Sequence, residues 1–127
     1  MPTPKILIAE DERDIRELIV FALELSGYDV SQAPNGAEAI KKAKELTPDL
    51  ILMDVRMPKM TGYEACEVLK ADKNTRHIPI VFLSAKGQDA EIQQGKELGA
   101  EAYFLKPFSP DELSEDVKEI LIKYNKL

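Results

Sequence analysis

The sequence predicts an α/β domain, with five βα units wound around one parallel sheet and helices on both of its faces. Short apolar runs alternate with amphipathic stretches and turn signals along the whole chain, as repeated βα units require. Three of the runs, around Ile6-Leu7-Ile8-Ala9, Leu50-Ile51-Leu52-Met53 and Ile80-Val81-Phe82-Leu83, are almost wholly apolar, as strands covered on both faces should be. With 127 residues, 44% of them hydrophobic, the chain is sized for one domain with one core.

Strands are predicted over residues 5–9, 28–33, 50–53, 78–83 and 102–105. The first helix sets Ile15, Leu18, Ile19, Ala22 and Leu25 on one stripe, with Gly27 as a left-handed stop. Asn35 with Glu38, Thr61 with Glu64, and Ser109 with Glu112 fit helix N-terminal capping pairs, the last reinforced by Pro110. They place the second, third and fifth helices. The fifth helix carries Leu113, Val117, Ile120, Leu121 and Tyr124 at helical spacing, a core-facing stripe. The fourth, over 88–98, offers only Ala90, Ile92 and Leu98 as clearly apolar residues, with Gly95 inside. It is expected to be held by little buried area and so to be able to move. No linker or longer repeat interrupts the pattern, so a single domain over 1–127 is expected, and Met1 with the short tail favours a stand-alone protein.

A formal net charge of -6 at pH 7 argues against direct binding of nucleic acid or an anionic membrane, both of which need a concentrated basic face. Cys66 is the only cysteine, which excludes an intramolecular disulfide, and its apolar helical neighbours suit a core position. Without a signal peptide, long apolar span or lipidation motif, the cytoplasm is the expected compartment.

The chemistry gathers at the strand ends. Glu10 and Asp11 follow the first apolar run and Asp54 follows the third. On one parallel sheet these carboxylates meet at the C-terminal edge, where their repulsion invites a hard, oxygen-loving cation such as magnesium. Lys106, after the fifth strand and turned by Pro107, would leave that edge with two net negative charges, matching one divalent ion. Ser84, after the fourth strand, adds a hydroxyl. Nucleophile, charge neutraliser, hydrogen-bond donor and ion pair are what a phosphoryl acceptor needs. Each residue also has a plainer reading. Asp11 suits a helix cap as well as a metal ligand, Ser84 a turn, Lys106 a solvated charge and Pro107 a strand terminator. Their joint placement at four successive strand ends favours the shared site.

In order and spacing, the segments Ile6-Leu7-Ile8-Ala9-Glu10-Asp11-Glu12, Leu50-Ile51-Leu52-Met53-Asp54-Val55-Arg56-Met57-Pro58, Leu83-Ser84-Ala85 and Ala102-Tyr103-Phe104-Leu105-Lys106-Pro107-Phe108 resemble the receiver domains of two-component response regulators, including the CheY-like single-domain members. The resemblance covers the whole chain. It implies a flavodoxin-like (βα)5 three-layer sandwich with strand order 2-1-3-4-5, the order that the CheY family exemplifies. It further implies Asp54 as phosphoacceptor, and Glu10, Asp11, Asp54 and the Arg56 carbonyl around magnesium, with Glu10 acting through water. Lys106 would pair with the phosphoryl oxygens, Ser84 would bond one of them, and Tyr103 would be an exposed aromatic switch that becomes buried on phosphorylation. The donor would be a histidine kinase or a phosphotransfer protein. The surface of fourth helix, fifth strand and fifth helix would then change toward a downstream target protein. Such a protein is a self-phosphorylating and self-dephosphorylating switch rather than an enzyme acting on a separate substrate.

Three departures matter. Glu10 stands where many members have aspartate. Arg56 and Lys86 would put long cationic side chains beside an acyl phosphate formed on Asp54, which is expected to slow its hydrolysis by obstructing water, with assistance to the transition state and faster hydrolysis as the alternative. Asp116 stands where winged-helix regulators usually carry arginine, so a monomer is expected, with a phosphorylation-dependent dimer as the alternative. A haloacid-dehalogenase-like phosphotransferase would need aspartate at the position of Arg56. A flavodoxin-like nucleotide carrier would need a Gly, Ser or Thr-rich loop where Glu10-Asp11-Glu12 stands.

Overall fold

The computed structural model describes residues 3–84, 96–105 and 109–127. In order, the elements are β1 (Lys5–Ala9), α1 (Arg13–Leu25), β2 (Asp29–Ala33), α2 (Gly36–Leu46), β3 (Leu50–Asp54), α3 (Gly62–Ala71), β4 (Ile80–Ser84), β5 (Ala102–Leu105) and a last helix, Pro110–Lys123. The strands form one parallel sheet in the order β2-β1-β3-β4-β5, the flavodoxin-like topology.

The alternation of side chains along each strand sorts the core into two layers. Leu7, Ala9, Ile51, Met53, Ile80 and Phe82 pack against α2 and α3, where Ala39, Ala43, Ala65 and Cys66 let the helices come close. Ile6, Ile8, Leu50, Leu52, Val81 and Leu83 pack against α1 and the last helix. Ala9 pairs with both Ala33 and Met53, and Asp54 pairs with Leu83, so β1 and β3 end at nearly the same level. Ser84 closes β4 opposite Leu105.

The helix starts follow the sequence signals. Asn35 accepts the Glu38 amide at 2.9 Å. Thr61 and Glu64 form a reciprocal capping box at 3.2 and 3.1 Å. Ser109 accepts the Glu112 amide at 3.1 Å, with Pro110 opening the helix. Gly27 takes φ +94°, the left-handed stop expected of it. Cys66 is buried, and burial pushes its thiol up to about 11, the behaviour of a core residue.

Some expectations are corrected. The buried side of α1 is Ile19, Val20, Ala22 and Leu23, while Leu18 and Leu25 are 51% and 73% exposed. Apolar residues nearly encircle this helix, and the sheet and the last helix together decide which of them are covered. The fourth strand begins at Ile80 rather than residue 78, since Pro79 has no N–H to give a ladder. The third runs one residue further than predicted, because Asp54 is still paired with Leu83. The predicted fourth helix lies outside the described residues except for its end at Lys96–Leu98, as do Lys86, Lys106 and Pro107.

Candidate functional site

Glu10 and Asp11 leave β1, and Asp54 ends β3 on the neighbouring strand. One carboxylate oxygen from each lies within 4.8 Å of the other two. Glu10 is fully buried, Asp54 nearly so, and Asp11 is exposed. Three carboxylates at such a distance, with one side open to solvent, match the hard oxygen donor set that magnesium takes, leaving room for water to complete the coordination. The chemistry of the residues therefore fits the ion that the sequence implied. Among the described residues this is the one group of at least three potential metal ligands.

The cap reading of Asp11 is not what the fold adopts. Glu12 occupies the cap position of α1 and makes no side-chain capping bond, so Asp11 stands one residue before the cap, among the acids. The loop after β3 is held by its own backbone. The Arg56 amide donates to Asp54 Oδ1 at 3.3 Å, the Val55 amide donates to the Leu83 carbonyl at 3.1 Å, and Gly62 donates back to the Val55 carbonyl at 2.9 Å. Lys59, at φ 70°, turns the chain between them.

Two residues that touch the backbone of this acidic group are not apparent from its motifs. A Cβ added at Gly62 would lie 2.3 Å from the Asp54 carbonyl oxygen, so only glycine lets the start of α3 sit on the backbone of the central aspartate. Arg16, on α1, reaches back to donate to the Glu10 carbonyl at 2.8 Å and to Gln32 Oε1 at 3.1 Å. The Gly62 signal was present in the sequence as a glycine directly after the Thr61 cap. The reach of Arg16 had no local signal.

Ser84 is buried at the end of β4, next to the strand that ends in Asp54. The Arg56 side chain is exposed. Lys106 lies outside the described residues. Tyr103, expected to be exposed, is half-buried. Its ring packs against Phe82 with centroids 5.4 Å apart, and its hydroxyl is hydrogen-bonded to that of Tyr63, which meets Phe82 edge-on at 5.0 Å. A polar partner on α3 allows the ring to turn inward at the sheet edge.

The chain belongs to the response regulator receiver domain family, whose model matches residues 6–118. It is 47% identical, over 92% of its length, to the alkaline phosphatase synthesis transcriptional regulatory protein PhoP of Bacillus subtilis (strain 168). It is 45% identical, over 91%, to the phosphate regulon transcriptional regulatory protein PhoB of Pseudomonas aeruginosa PAO1. It spans 48% and 51% of those relatives, about half their length. Chemotaxis protein CheY4 of Vibrio cholerae superposes with a TM-score of 0.91 at 32% identity, covering 94% of this chain and 100% of that one. The receiver domain of sensor histidine kinase PA1611 from P. aeruginosa PAO1, solved with magnesium in its active site cleft, gives 0.85 at 30% identity, covering 93% and 97%. The expectations of a stand-alone protein and of no nucleic-acid partner gain no support from these relatives, two of which are transcriptional regulators. No helix among the described residues is long and apolar enough to cross a membrane.

Proposed function

We propose that this domain is a phosphorylation switch that takes a phosphoryl group onto Asp54 from a histidine kinase or phosphotransfer protein. The observation that carries this reading is the convergence of Glu10, Asp11 and Asp54 at the C-terminal edge of the sheet. Glu10, Asp11 and Asp54, with the Arg56 carbonyl, would hold magnesium, which when bound offsets negative charge on the phosphoryl oxygens. An Asp54 carboxylate oxygen attacks phosphorus in line as the bond to the phosphohistidine nitrogen breaks. The leaving imidazole keeps that electron pair, and the product is an acyl phosphate. The Arg56 amide, already directed at Oδ1, restrains the carboxylate's rotation. Ser84 and Lys106 would receive the transferred oxygens as a hydroxyl donor and an ion-pair partner.

The same transfer is the input to a change of surface. Ser84 drawn toward the phosphoryl group would pull on the loop after β4. Tyr103 would answer by exchanging its present contacts with Tyr63 and Phe82 for a deeper position. The region that follows β4, with β5 and the last helix, then offers a downstream protein a different face. Arg56 and Lys86 are assigned the slowing of hydrolysis, since neither has a carboxylate or amide to orient water.

Incubation with acetyl phosphate and magnesium tests the core of this reading by intact-mass measurement. One added phosphoryl group is expected, lost in Asp54→Asn and in excess chelator. Equal labelling of that variant would overturn the assignment. Ring-labelled NMR of Tyr103 should report a changed environment on full phosphorylation, and an unchanged one would remove Tyr103 from the switch.

A further inference from the structure

We propose that Arg16 is a positioning residue for the divalent-cation site, acting by fixing the peptide that joins two of its acidic residues. The inference rests on the metal reading of the acidic trio. The carbonyl that Arg16 Nη1 engages at 2.8 Å belongs to the Glu10–Asp11 peptide. Because that peptide unit is planar, its orientation is set by ψ of Glu10 and φ of Asp11, and turning it swings the Asp11 side chain relative to that of Glu10. The preceding peptide is already tied, since the Glu10 amide donates to the Ala33 carbonyl at 3.1 Å. After β1 ends, the joint between the two acids is therefore the next freedom left to the chain, and the guanidinium removes it.

The choice of side chain follows from the two acceptors. Arg16 is half-buried and spans from α1 to the end of β1 and to Gln32 on β2, with Nε at 3.1 Å from Gln32 Oε1. A planar guanidinium can serve two acceptors on different elements while its own plane stays fixed, which an ammonium does less well. A positive group on the backbone of the acidic loop also keeps the loop formed before any cation arrives. Groups that orient metal ligands from behind in this way govern affinity as well as geometry.

The test compares magnesium affinity of the unphosphorylated protein, by isothermal titration, with thermal stability measured in chelator. Arg16→Gln should bind magnesium about tenfold more weakly than wild type. Its metal-free melting should be little changed, and the Asp11 amide resonance should be displaced in the metal-free spectrum. Arg16→Lys, which keeps the charge and one donor but not the fork, should recover part of the affinity. Gln32→Ala, which removes the second acceptor but keeps the bond to the Glu10 carbonyl, should lose less affinity than Arg16→Gln. Unchanged affinity in Arg16→Gln overturns the proposal. If that variant does not fold, Arg16→Lys decides: intermediate affinity supports the proposal and wild-type affinity overturns it. Wild-type protein that binds no magnesium would instead overturn the metal reading on which the proposal rests.

Discussion

The strand β3 is preceded by one aspartate and ended by another, and the two lie in opposite environments. Asp49, at the entrance, accepts the Lys5 backbone amide at 2.8 Å, returns its own amide to the Lys5 carbonyl at 2.7 Å, and lies 3.5 Å from the Lys126 ammonium. Asp54, at the exit, shares its surroundings with two further carboxylates. The first arrangement spends a charge on joining strand, loop and tail. The second concentrates like charge where a divalent cation can offset it. The same residue type thus serves a structural contact just before the strand and, in the proposed function, chemistry at its end, and its neighbours decide which.

The largest expected effect separates the two aspartates directly. Asp54→Asn should abolish labelling by acetyl phosphate, while Asp49→Asn should label normally and lose about 1–2 kcal/mol in denaturant unfolding through its weakened charged hydrogen bond. Labelling that fails in both variants would dissolve the contrast. Magnesium at a hundredfold excess over its dissociation constant should stabilise the wild-type fold by about 2.7 kcal/mol, and Asp11→Asn should lose most of that gain. An equal shift in both proteins would put the ion at another place, and a shift lost in Asp49→Asn would reverse the roles assigned to the two ends.

Gly62→Ala sharpens the picture at the exit. Alanine favours helix intrinsically, yet its Cβ would meet the Asp54 carbonyl at 2.3 Å, so a net loss of about 1–3 kcal/mol is expected, with a lower phosphorylation yield. A stabilised variant that labels fully would show that the close approach is relaxed at no cost.

The smallest effect concerns paired charge away from the site. Glu101 accepts bonds from Lys123 at 2.6 Å and from the Tyr124 hydroxyl at 2.5 Å. The bond to Glu101 raises Tyr124 from 10.0 to about 12, and burial raises Cys66 from 9.0 to about 11. Both are acids whose folded values exceed their unfolded ones, so the stability they contribute is full below the unfolded values. It is lost as pH climbs through the folded values, between about 9 and 12. Tyr124→Phe should flatten the upper part of this alkaline decline in melting temperature. A decline identical to that of wild type would remove the Glu101 bond as its cause.

Much of this was legible in the sequence because it is encoded locally. Apolar runs marked the strands, two of them with the bounds observed, and Asn35, Thr61 and Ser109 marked helix starts by capping chemistry contained in four consecutive residues. The acids and Ser84 were legible as residues following strands. Less legible was the start of β4, where Pro79 delays the ladder, and the half-buried state of Tyr103, which depends on Tyr63 forty residues away. The α1 stripe misled because Leu18, Phe21 and Leu25 are as apolar as the residues that are buried.

Among the described residues, the element types, the capped helix starts and the residues at the strand ends could be read from the chain alone, since these follow from side-chain period, backbone sterics and short-range hydrogen bonds. Long-range packing set which side of α1 is covered, how closely α3 approaches Asp54, and that Arg16 returns to the Glu10 carbonyl. Those outcomes depend on distances between elements far apart in the chain. Close packing fixes such distances only when every layer is in place.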